Sequence, residues 1–172
     1  DSVRLRLKLF RFGAPIALSD ALPMMENMGL HVLSEHPFEM QLGAGSRIFI
    51  QDFEVQPQTG IVVDPERVHD SFQAAFERTW RGEVENDGFN RLILSAQMNW
   101  RQVAMLRGYC KYLLQTGVPF SQTYMEEALN RYPQIAQQLA ELFEAKFNPA
   151  RSEHAVKLDI AAKALKPMLD GV

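Results

Sequence analysis

The chain has 172 residues, 47% of them hydrophobic, enough to bury a core without metals or disulfides. A formal net charge of −3 without clustered Lys and Arg argues against nucleic acid as a general partner, and no apolar run nears the roughly 18–20 residues of a bilayer span. The single cysteine, Cys110, excludes an internal disulfide and fits a reducing, cytoplasmic setting.

Val3, Leu5, Leu7 and Leu9 alternate with Arg4, Arg6 and Lys8. That period of two predicts a strand with one buried face and one cationic, solvated face. The phase slips at Phe10-Arg11-Phe12, and Gly13 with Pro15 ends the strand. Ser19 is placed to cap a helix running to about Met28, with Leu18, Leu22 and Met25 inward. Pro23 falls near its first turn, and Gly29 takes the left-handed position beyond its end. His31 to Gln41 reads as extended, with Pro37 marking an edge or a bend. Gly43-Ala44-Gly45-Ser46 is a turn, after which Arg47 to Val55 alternates through Ile48, Ile50 and Phe53. Asp64-Pro65 opens a helix with Pro in its first position, and Val68, Phe72, Ala75, Phe76 and Trp80 form its inward stripe. The order β-α-β-β-α is most of a ferredoxin-like split unit, with both helices on one face of the sheet. The other face carries the cations or packs on a neighbour.

From Gly82 onward the pattern is helical. Phe89 to Gln97 is either a helix or a fourth strand through Leu92 and Leu94; the spacing of Phe89, Leu92, Ile93 and Ala96 favours helix. Asn99 caps the next helix, whose stripe is Val103, Leu106, Cys110 and Leu113 and which Gly117 and Pro119 stop. Ser121 caps another, interrupted at Tyr132-Pro133. Ile135, Leu139, Leu142, Phe143 and Phe147 line a further helix that ends at Asn148-Pro149, and a last helix from Ser152 carries Val156, Ile160, Leu165 and Met168. The fold class is α+β: a small antiparallel sheet module over residues 1–82, then a helical region over 83–172.

Candidate chemistry is sparse. Gly43-Ala44-Gly45 lacks the third glycine of a dinucleotide loop, and strand follows where that loop needs a helix. His31, His36, His69 and His154 do not pair at metal-ligand spacing. Cys110 sits on an apolar stripe, which suits a buried, inert thiol. No catalytic, cofactor-binding or metal-binding residue is therefore assigned. Glu85-Asn86-Asp87-Gly88 with Asn90 is a dense polar cluster suited to turn and capping work. Arg101, Arg107, Lys111, Tyr109 and Tyr112 give the following helix an aromatic and basic side, serving either internal packing or contact with another domain.

The run Gly82-Glu83-Val84-Glu85-Asn86-Asp87-Gly88-Phe89-Asn90-Arg91-Leu92, then Trp100-Arg101-Gln102-Val103, Leu106-Arg107-Gly108-Tyr109, Tyr112 to Gln122 and Leu142 to Pro149, resembles the large bacterial NAD-specific glutamate dehydrogenases. The matching region is the non-catalytic one just ahead of their dehydrogenase core. Leu18-Ser19-Asp20, Leu22-Pro23 and Glu26 to Leu30 extend the likeness into the first half. The resemblance implies an internal segment, in keeping with a first residue that is Asp rather than Met. It also implies an ACT-like module coupled to a helical connector. NAD would be the cofactor of the parent enzyme and not of this segment, since the family's lysine-glycine-glycine stretch and nucleotide-binding glycines are missing from it. The implied partners are the catalytic core of the same polypeptide and further copies of the parent in a homo-oligomer. Asn90, Arg91, Arg101, Arg107, Tyr109 and Tyr112 are the candidate contact residues. Two other readings stay open: an amino-acid-sensing ACT-type module, with the loop Gly13 to Asp20 receiving a carboxylate at a helix N-terminus, and a free-standing interaction domain.

Overall fold

The computed structural model describes residues 4–149 and 154–170. Strand β1 (Leu5–Phe12), helix α1 (Leu18–Asn27), strands β2 (Leu30–Gln41) and β3 (Arg47–Pro57) and helix α2 (Pro65–Trp80) follow in the expected order. The three strands form one antiparallel sheet in the order β1-β3-β2. β2 is thus an edge strand, which tolerates Pro37. β1 is the other edge among the described residues. Leu33 is the extra residue of a bulge, because Val32 pairs with Val55 while Ser34 pairs with Glu54.

The helical region holds α3 (Leu92–Ser95), entered through a 3-10 turn over Gly88–Arg91, then α4 (Trp100–Gln115), α5 (Gln122–Arg131), α6 (Pro133–Phe147) and α7 (His154–Asp170). Phe89, Leu92, Ile93 and Ala96 are all buried, so the helical period of 89–97 prevails over the strand alternative. Local capping sets the starts of α2, α4 and α5. Asp64 accepts from Glu66 N–H, Ser121 from Tyr124 N–H, and Asn99 forms a reciprocal box with Gln102. Asn99→Ala should cost about 1 kcal/mol, and the midpoint of a urea melt would report it.

Several inward faces differ from the sequence expectation. Ser19 lies inside α1 and caps nothing; the cap position is Ala17, without a side-chain bond. α1 buries Ala21, Met24, Met25 and Met28, while Leu18 is exposed. Pro23 is interior to the helix, past the first turn, where a missing N–H usually costs about 3 kcal/mol. On α6 the buried residues are Ala136, Ala140 and Ala145, so the tightest contacts use the small side chains rather than Ile135, Leu139 and Phe147. Ile160 of α7 is exposed and Ala161 with Leu165 faces inward; Val3, Ser152 and the Val156 side chain lie outside what is described.

Phe10 and Phe12 do not slip phase. Pairing of β1 with β3 is unbroken from Leu5↔Val55 to Phe12↔Ile48, so both phenylalanines stay on the face of Arg6 and Lys8. On the helix-covered face, one apolar cluster runs from Ile16 and Phe53 through Phe89 and Leu92 to Val103, Met125 and Ala140. The interior therefore passes without a gap across position 82.

Candidate docking surface

The polar loop before α3 is held by a buried cation. Arg107, 2% exposed, donates from Nε to Asp87 Oδ2 at 2.7 Å and from Nη2 to Asp87 Oδ1 at 2.8 Å. Its Nη2 also donates to Asn90 Oδ1 at 2.8 Å. Asn90 in turn donates to the Glu85 carbonyl at 2.9 Å, and Asp87 accepts from Phe89 N–H at 3.1 Å. Lys111 pairs with Glu85 from one turn further along α4. Asn27 Nδ2 donates to Asn86 Oδ1 at 3.0 Å, which ties α1 to the same loop. A bidentate guanidinium–carboxylate pair with every partner engaged is the arrangement in which a buried charge is tolerated.

Six residues were candidates for contact with another domain, and the structure separates them. Asn90 and Arg107 are interior, spent on the network just described, so neither presents its side chain outward. Arg91 lines a cleft beside the β3–α2 loop. Arg101, Tyr109 and Tyr112 are exposed. The aromatic and basic residues of α4 thus occupy more than one side: Arg107 and Lys111, four apart, turn to Glu85, while Tyr109 meets Phe143 of α6 edge-on at 6.0 Å. Trp100 is flanked by two guanidinium groups, Arg78 at 4.2 Å and Arg101 at 5.1 Å from the ring centre. Phe120 and Tyr124 stack at 5.0 Å and extend the exposed aromatic surface.

A second apolar surface escaped sequence reading. On the sheet face away from the helices, Phe10, Ile50 and Phe38 form one cross-strand row, and Phe12, Ile48 and Met40 the next. Phe10 and Phe12 are each 64% exposed, Phe38 55% and Met40 49%. The signal was present as even-numbered apolar residues at the far end of β1, but it followed Arg6 and Lys8 in the same phase and read as an interruption. The charged end of that face is neutralised internally: Arg6 and Lys8 both pair with Asp52, and Arg4 with Glu54.

The Arg6 hydrogen bonds hold the Asp52 carboxyl below its ordinary range, and Lys111 does the same for Glu85. Carboxylates so lowered contribute stability that is fully present above their ordinary values of 3.8 and 4.5 and is lost as pH falls through the lower folded values. Thermal melts should therefore be flat from neutral pH to about 5 and drop below about 4. Substituting Asp52 by Asn should shrink that drop. Burial pushes the Cys110 thiol upward, followed by the negative charge of Glu126, so it stays protonated and unreactive.

An apolar groove of about 740 Å³ runs between the open edge of β1 and α2, lined by Leu5, Leu7, Leu9, Val68, Phe72 and Phe76. Arg6, Lys8, His69 and Glu77 stand on the same lining. The loop Gly13–Asp20 is pinned where Ile16 N–H donates to Gln51 Oε1 at 3.0 Å.

An ACT-type α+β module continued by a helical segment is the class of protein these elements define. Residues 1–68 match the family profile described as glutamate dehydrogenase, ACT3 domain, and residues 84–149 that described as glutamate dehydrogenase, helical motif 3. The chain is 43% identical over 166 residues to an NAD-specific glutamate dehydrogenase of Halomonas elongata, covering 96% of this chain and 10% of that protein. It is 39% identical over 168 residues to the protein of that name from Pseudomonas aeruginosa, covering 98% and 10%. The corresponding figures for the Mycobacterium tuberculosis protein of that name are 40% over 164 residues, 92% and 10%. The chain matches a segment of the NAD-specific glutamate dehydrogenases and spans about a tenth of the length of the relatives it matches.

Proposed function

We propose that this chain is a non-catalytic assembly segment of a cytoplasmic NAD-dependent glutamate dehydrogenase. The parent enzyme would oxidise L-glutamate with water to 2-oxoglutarate and ammonium, passing hydride to NAD. The observation that carries this reading is the tandem match to an ACT3 domain and helical motif 3 over one shared apolar interior. The polar groups of the segment are consistent with it, because its strongest cluster, Arg107 with Asp87 and Asn90, is consumed in holding the loop to α4.

Two exposed surfaces suit docking within the parent. One is the helical face of Arg101, Tyr109 and Tyr112; the other is the Phe10, Phe12, Phe38 and Met40 patch on the open sheet face. Aromatic and arginine side chains are the usual anchors of such contacts. The chain makes up only 10% of the relatives' length, which supports the remainder of the same polypeptide as the occupant of the helical face. No described helix is long and apolar enough to cross a membrane.

Co-purification of this chain with the remaining polypeptide of its parent tests the reading. Replacing Arg101 and Tyr112 together by Ala should weaken association by about tenfold or more while the chain stays folded. Undiminished association would remove the helical face as a contact. Reduction of NAD by the purified chain with glutamate would remove the non-catalytic assignment.

A further inference from the structure

The two edges of the sheet are not alike. β2 carries the devices that keep an edge strand from pairing further: Pro37, the bulge at Leu33, and the charges of Glu35 and Glu39. β1 has neither proline nor bulge, and its pairing with β3 is unbroken from Leu5 to Phe12. No described strand lies on its other side, so alternate N–H and C=O groups along β1 stand open.

Cover is missing on the helix side of that edge as well. Leu5 and Leu7 are only half-buried, whereas their partners across the ladder, Val55 and Phe53, are 1% and 0% exposed. The groove of about 740 Å³ follows this row, with Val68, Phe72 and Phe76 of α2 as its far wall. β1 lines it from Leu5 to Phe10, about 20 Å at the rise of a strand. The β-α-β-β-α order is one strand short of the split unit, whose last strand follows the second helix. Here a 3-10 turn and α3 follow α2 instead. One further strand, its apolar residues against Leu5, Leu7 and Leu9, would bond the free edge and fill the groove.

Charge restricts the occupant. Between Arg4 and Phe12 the chain carries Arg4, Arg6, Lys8 and Arg11 and no acid. Arg6 and Lys8 share Asp52, Arg4 pairs with Glu54, and Arg11 has no carboxylate partner among the described residues. Four cations against two carboxylates leave the edge positive. Glu77 on the α2 rim is itself paired with Arg81. A second copy of β1 would bring only more cations, and like charges across a strand pair destabilise it. Asp or Glu at alternate positions would instead meet Arg6 and Lys8 favourably.

We propose that the open edge of β1 and the groove beside α2 receive a fourth strand from the remainder of the parent polypeptide, one that alternates apolar with acidic residues. The proposal rests on the assembly role given above and names a surface through which that assembly is made. The chain spans about a tenth of the length of its relatives, so most of the polypeptide lies outside it. Main-chain bonds would supply affinity, and the cations with the groove would supply selectivity.

Hydrogen exchange over Leu5 to Phe10, compared by mass spectrometry between the intact parent enzyme and the isolated 172-residue chain, is the test. The open-side amides should exchange at least about tenfold more slowly in the parent. Gln73→Trp, at an exposed position on the α2 wall, plugs the groove without cutting into the core and should bring the two rates within about twofold. Lys8→Glu should reduce the slowing severalfold, and Lys8→Gln should reduce it less. Arg101→Ala combined with Tyr112→Ala, on the helical face, should leave the slowing intact. Equal exchange in parent and isolated chain overturns the inference, and leaves the assembly role to its own co-purification test. Undiminished slowing in both Gln73→Trp and Lys8→Glu overturns it too. So does slow exchange already present in the isolated chain and deepening with its concentration, which would assign the edge to a second copy.

Discussion

Arg107→Ala should destabilise the chain by about 3–5 kcal/mol, the range for breaking a buried ion pair from one side. The substitution strips Asp87 of both guanidinium bonds, leaves Asn90 Oδ1 without its donor and opens a hole beside Phe89, over whose ring the guanidinium lies at 5.7 Å. Equilibrium unfolding in guanidinium chloride would register the loss as a lower midpoint. Arg107→Lys keeps the charge but not the fork, and should recover less than half of the difference. A change under 1 kcal/mol in Arg107→Ala would mean that the network is dispensable. Because Arg107 is interior, the variant reports on folding. Surface contact has to be probed through Arg101 and Tyr112.

Gly29→Ala should be nearly as damaging, for two separable reasons. Gly29 has φ +87°, a left-handed conformation that costs a residue with a side chain about 1–3 kcal/mol. An added Cβ would also lie 2.8 Å from Ile61 Cδ1 and 3.0 Å from Arg91 Cγ. Gly60 shares φ +87° but has nothing within 4 Å of the same added atom. Gly60→Ala therefore measures the backbone cost alone, and the excess destabilisation of Gly29→Ala measures the crowding. Overpacking of this kind costs about 1–3 kcal/mol, so thermal midpoints should fall in the order wild type, Gly60→Ala, Gly29→Ala. Equal losses in the two variants would show that Ile61 and Arg91 yield freely.

The contrast between what was legible in the sequence and what was not follows the range of the interactions. Caps and stops act within a few residues: Asp64-Pro65, Asn99, Ser121 and Gly117 each stand where their chemistry predicts. The β-α-β-β-α order followed from alternation and turn residues, which are equally local. Inward faces depend on what a helix meets. α6 turns Ala136 and Ala140 to its neighbours because small side chains permit close approach, a preference that hydrophobicity alone ranks below Leu139 and Phe143. On α1 the expected Met25 is buried, but Leu18 is exposed and Ala21, Met24 and Met28 complete the inward side.

The candidate contact set was misjudged at Arg107 and Asn90 because arginine and asparagine are seldom enclosed unless paired. Their partners sit 20 and 17 residues from Arg107 along the chain, beyond any spacing rule. The dense run from Glu85 to Asn90 was the available sign, and it was assigned to turn chemistry. Part of it does that work, as Asp87 caps the turn while also holding Arg107. The cleft of Arg91, Ser95 and Asn130 left no mark in the sequence, since its members become neighbours only after α5 folds back.

The unbroken interior beneath sheet and helices has a thermodynamic consequence. Phe53, Phe89 and Val103 belong to one continuous packing, so parting the sheet from the helices would expose apolar surface on both sides at once. The two halves should therefore melt together, in one transition rather than two.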